Sequence, residues 1–164
     1  MLDTTPSVGA LTDSVARVGY DKHMMKKDSV FAALVIENSS SDPIGNFEVY
    51  LVNPGDGDYS RVTVHTGGHL TYGEKLVETA RVTKEKGALG PHSFCLLDRS
   101  DLDELYETSI WYVLDLHLSS GGVESYTVGL PKSARGYSEE ATVLPVLDKK
   151  GLRLELEPTK GLRA

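Results

Sequence analysis

A chain of 164 residues, 40% hydrophobic and 25% charged, has the composition of one soluble globular domain. Lys and Arg number 17 against 24 Asp and Glu, and the net charge of -7 argues against nucleic acid as a partner. No apolar run approaches the roughly 20 residues of a membrane helix, so no membrane partner is expected. The one cysteine, Cys95, permits no intrachain disulfide. The N-terminus has Asp3 and no basic segment leading into an apolar run, so the expected location is cytoplasmic.

Residues 1–13, rich in Thr, Ser, Pro and Gly, read as a flexible arm. Residues 14–28 fit either a helix or a short edge strand. Their Lys22, Lys26 and Lys27 read as a solvated connector. Val30 to Ile36 is apolar on both faces, which predicts a central strand. The run Glu37 to Pro43 is a turn signal, and 46–52 resumes as a strand. Asn53 to Asp58 is a second turn. Residues 61–66 alternate, with Val62 and Val64 inward, and Gly67-Gly68 is expected to end that strand.

A charged edge strand is predicted over 75–83, a loop over 84–90 and a strand over 91–97. Ser100 suits a helix N-cap, with acids in the first turn, which predicts one helical turn near 101–106. The longest strand signal is 108–118, TSIWYVLDLHL. Ile110, Tyr112, Leu114, Leu116 and Leu118 share one face, and Trp111, Val113, Asp115 and His117 the other. Ser119 to Gly122 reads as a hairpin connection into a strand over 123–130. After a loop over 131–140, residues 141–147 and 152–157 read as a second hairpin. Its Pro145, with no amide donor, sits at an edge or bulge.

The count, about nine or ten short strands with regular turns and almost no helix, predicts an all-β antiparallel β-sandwich, with a barrel left open as the alternative because the strand order is undetermined. The domain is expected over 14–157, with a C-terminal tail over 158–164. Strand lengths and the Asn/Ser/Pro turn after residue 36 resemble an immunoglobulin-like sandwich. The Cys…Trp…Cys framework of antibody domains is missing.

Candidate chemistry is sparse. The histidines His65, His69 and His117, with Asp115 two residues before His117, are ligand types for a metal. Asp56 and Asp58, with Asn53, add oxygens in a loop that is also standard turn chemistry. Cys95 lies in an apolar strand, three residues from His92 and pointing the other way. The acids Asp98, Asp101, Asp103, Glu104 and Glu107 cluster without a second signal for hydrolysis. No cofactor is implied. Tyr59, Tyr72 and Tyr137 in turns, and Trp111 on the central strand, are candidate binding aromatics. The expectation is a non-enzymatic module for protein–protein interaction or self-assembly, with 75–83 and 141–147 as edges that accept a partner strand. The alternative is a sandwich holding a metal ion or carbohydrate in its end loops.

Overall fold

The computed structural model describes residues 29–39, 42–72, 75–78 and 81–159. In chain order its strands are β1 (Phe31–Ser39), β2 (Asp42–Asn53), β3 (Tyr59–Tyr72), β4 (Lys75–Glu78), β5 (Val82–Glu85) and β6 (Ser93–Asp101). A helical turn α1 (Leu102–Glu107) leads into β7 (Thr108–Leu118) and β8 (Val123–Gly129). A second turn, α2 (Tyr137–Glu140), precedes β9 (Thr142–Val143), β10 (Lys150–Glu155) and β11 (Glu157–Pro158). One antiparallel sheet has the order β6-β2-β1-β10-β9. The other has the order β11-β8-β7-β3-β4, with β5 also on β3. The chain is an all-β sandwich with little helix. Among the described residues no helix is long and apolar enough to cross a membrane.

The period-two patterns explain the layers. In β7, Ile110, Tyr112, Leu114 and Leu116 are buried and pack on Val62 and Val64 of β3. From the other sheet come Ala32, Leu34, Phe47, Val49 and Leu51, which close the core between the sheets. Burial of β1 on both faces makes it central, as its two-sided apolar run predicts. Its far face, Phe31, Ala33 and Val35, joins Tyr50, Val52, Leu144 and Leu147 in a second cluster outside the first sheet. Burying Leu144 and Leu147 stabilises by about 1.5–3 kcal/mol each. That roughly offsets the left-handed backbone of Val146 (φ 70) and Asp148 (φ 58), at about 1–3 kcal/mol each. Hydrogen bonds of 2.9 Å from Leu144 N to Lys149 O and from Asp148 N to Leu144 O tip the balance towards this folded turn.

Several expectations are corrected. Strand β3 does not end at Gly67-Gly68. It runs through them, paired with Trp111 and Ile110 of β7, because Gly67 leaves room for the Trp111 indole. The edge expected over 75–83 is two short strands, β4 and β5, both on β3. The second hairpin shrinks to pairing of 142–143 with 150–151, since 144–149 folds over the second cluster instead. Helix α1 is capped at Asp101, not Ser100, whose hydroxyl bonds to Glu104. Turn α2 forms within the expected loop 131–140. Pro158, assigned to the tail, pairs with Tyr126. Both predicted edge regions do lie at sheet edges. The N-terminal arm and residues 14–28 lie outside the described residues, as do 160–164.

Candidate functional site

The outer face of the second sheet gathers most of the polar candidates. Pairing of β3 with β7 sets His65 beside Val113 and Thr63 beside Asp115. His65 Nε2 lies 3.3 Å from Asp115 Oδ2, and its Nδ1 lies 3.0 Å from the Thr83 hydroxyl. Ser125 donates to Asp115 Oδ1 at 2.6 Å. Asp115 thus accepts from both neighbours. The serine proton is directed at a carboxylate rather than an imidazole, so the trio lacks the order of a nucleophilic triad. One row away, the Arg61 guanidinium is 3.3 Å from His117 Nδ1 and 3.5 Å from Glu85. These links tie β5, β3, β7 and β8 together across an open face.

Trp111 occupies the same face. Its indole lies across Gly67 of β3 and stacks on His69, with centroids 4.7 Å apart. Gly129 of β8 is its partner on the other side. His69 Nδ1 is enclosed and takes no hydrogen bond among the described residues.

At one end of the sandwich, buried Asn53 organises the 53–58 loop. It donates to Gly57 O and Gly90 O at 2.8 Å and accepts from Gly55 N at 3.2 Å. Asp56 meets His92 at 3.2 Å on the exposed rim. The proposed metal residues are therefore divided. His65 joins Asp115, His117 faces Arg61, His69 stacks on Trp111, and Asp56 and Asp58 belong to a separate loop. Among the described residues, no three of His, Cys, Asp and Glu converge as a ligand set.

The tyrosines are reassigned. Tyr59, expected to be exposed, is buried at 8% and packs in the main core, because its backbone pairs with both Leu89 and Leu118. Burial pushes its phenol above the usual range, with the Glu124 charge a smaller cause. Tyr137 accepts from Ile36 N at 3.1 Å and donates to Lys150 O at 3.4 Å, a clamp between α2 and the first sheet. The Tyr72 side chain lies outside the described residues.

The strand expected over 91–97 is β6, and the feature missed from sequence is its place at a sheet edge. β6 is the longest edge strand, nine residues, and among the described residues only β2 pairs with it. Phe94 and Leu96 are 45% and 36% exposed on its outer face, beside the Tyr50 ring, 5.7 Å from Phe94 in an edge-on contact. Apolar residues on both faces of 94–97 suggest a central strand, so no local signal marks an edge. Between them Cys95 points inward, and burial raises its thiol to about 11, which keeps it protonated and unreactive at neutral pH.

Behind β6 a cleft opens between the sheets, with a volume of about 350 Å³. Its walls include Lys84 of β5, Asp98 and Ser100 of β6, Glu104 of α1, and Thr66 and Ile110 of the second sheet. Asp98 Oδ2 accepts from the Tyr112 hydroxyl at 2.9 Å and Oδ1 accepts from Arg99 N at 2.9 Å. Tyr112 is fully buried, and burial, then the charge and hydrogen bond of Asp98, hold its phenol neutral far above the ordinary range. The tyrosine fixes the carboxylate from the core side. Arg99 turns to the outer face, 3.4 Å from buried Glu48. Set against known proteins, the chain matches no protein-family model and no curated protein.

Proposed function

We propose that this chain is a non-enzymatic binding module that takes an extended segment of a protein partner along the edge of β6 that no described strand pairs with. The observation that carries this reading is the nine-residue edge with Phe94 and Leu96 exposed beside it. An open edge offers a row of backbone donors and acceptors, and adjacent apolar side chains give an added strand something to bury. The other edges are poorer templates: β9 and β11 have two residues each, and β4 and β5 have four each. Less supports a site in the end loops, since Tyr59 is core and Asn53 spends its amide on holding the turn. A reducing, cytoplasmic setting is in keeping with one half-buried thiol.

The test is a library of ten-residue peptides displayed on phage and panned on the full chain, with the double variant Phe94→Ser/Leu96→Ser as counter-screen. Both side chains are substantially exposed, so the variant should keep the wild-type melting behaviour. Peptides that alternate apolar residues, bind the wild type and lose the variant are the expected result. Light scattering identifies the case in which the segment comes from a second copy: a dimer that falls apart in the same variant. If neither panning nor scattering yields an interaction that depends on Phe94 and Leu96, the proposal fails.

A further inference from the structure

Resting on that reading, we infer that the cleft behind β6 is the pocket that selects the partner, and that it takes a basic side chain, Lys or Arg, of the added strand. Side chains of a strand laid beside β6 alternate between two directions. One set falls on the outer face beside Phe94 and Leu96. The other points between the sheets, beside the inward residues Cys95, Asp98 and Ser100. Strand β5, across the cleft, is an edge of the second sheet on this same side, so the inward set enters the cleft itself.

The chemistry of the cleft then decides what fits. Asp98 is held by Tyr112 and the Arg99 amide, and each of its oxygens keeps a lone pair for a further donor. Glu104 stands at the same wall, oriented by Ser100. Among the described residues the lining holds two carboxylates and two cations, Lys84 on the opposite rim and Arg99, whose guanidinium is 3.4 Å from Glu48 and largely offset by it. Ile110 and Val82 supply an apolar wall for the aliphatic stem of a long basic side chain. The cleft is at the small end of the roughly 300–1,000 Å³ range of ligand sites, which suits one side chain better than a cofactor. The β-bulge in β6, where the register shifts between Val49 and Tyr50, turns both Leu97 and Asp98 inward. Without that extra residue, Asp98 would face the other way, beyond reach of the cleft. The partner is thus an extended segment with apolar residues at alternate positions and a Lys or Arg among those between.

The experiment uses synthetic versions of the peptides enriched on the full chain, with binding read by fluorescence anisotropy. Asp98→Asn and Glu104→Gln preserve shape and the acceptor oxygens for Tyr112 and Ser100 while removing charge. Expected are enriched sequences with a basic residue between apolar ones and a loss of about tenfold or more in Asp98→Asn/Glu104→Gln, which is 1.4 kcal/mol or more. Lys84→Gln is expected to strengthen the same peptides by removing a competing cation. N-methylation of peptide amides should abolish binding in every background. Peptides that need Phe94 and Leu96 but carry no basic residue, or bind the double variant as tightly as the wild type, overturn the pocket and leave edge binding intact. Peptides indifferent to Phe94, Leu96 and N-methylation overturn edge binding itself.

Discussion

Replacing Gly67 with alanine puts a Cβ 2.6 Å from Cζ2 and 2.9 Å from Cε2 of Trp111. Carbon atoms pack best at about 3.5–4.0 Å, so the indole must withdraw by roughly 1 Å or more. Elsewhere in a strand, glycine to alanine gains roughly 0.5–1 kcal/mol by restricting the unfolded chain. Gly67 has no left-handed backbone to forbid the change. The contact alone therefore sets the sign. Overpacking costs about 1–3 kcal/mol, and the net expectation is a loss of about 0.5–2 kcal/mol. For a domain of this size that lowers Tm by roughly 2–6 °C. Trp111 is the only tryptophan, so its emission reports directly on the displacement and should shift to the red. A double-mutant cycle isolates the cause: in a Trp111→Leu background, Gly67→Ala should become neutral or stabilising, with a coupling of about 1 kcal/mol or more in urea unfolding. A Gly67→Ala protein as stable as the wild type with unchanged emission would refute the reasoning. So would a penalty that persists without the indole.

Three further outcomes follow from other close contacts. Asn53→Ala strips the loop of bonds to Gly57, Gly90 and Gly55 and should cost about 2–3 kcal/mol in urea titration; a cost near zero would mean that water replaces the side chain. Gly151→Ala places a Cβ 3.0 Å from the Leu34 carbonyl oxygen, backbone that cannot swing aside, so a loss of about 1–3 kcal/mol is expected by thermal melt. Tyr112 carries a pH prediction. Its phenol is raised above its unfolded value by burial and by Asp98. Its contribution is complete below the unfolded value near about pH 10 and is lost as pH rises beyond it, because the unfolded chain releases a proton that the native state keeps. Tyr126, raised to about 12, and Cys95, raised to about 11, both chiefly by burial, act with the same sign. Tyr112→Phe should therefore flatten the fall in urea midpoint above about pH 10, and parallel profiles for the two proteins would disprove it.

Local alternation determined much of this molecule. The span of β7, the inward set Ile110, Tyr112, Leu114 and Leu116, and the central position of β1 are all legible in the sequence, because side-chain direction in a strand repeats every two residues. So is the turn after Asn53, where turn-forming residues cluster. Sheet order is a different matter, since it depends on which strands pair across long separations. His65 and Asp115 are 50 residues apart in sequence and meet only through the register of β3 with β7. The same pairing carries β3 through Gly67-Gly68, which locally reads as a break, because the missing side chain there is filled by Trp111 from the neighbouring strand. Tyr59 looks like a turn residue until Leu89 and Leu118 pair with it and draw it inward. Likewise β6 has the two-sided apolar pattern of a central strand, yet tertiary structure leaves its outer edge without a pairing strand among the described residues and sets Asp98 over a cleft. Faces are written in short-range periodicity. Edges and clefts arise only when distant strands choose their neighbours.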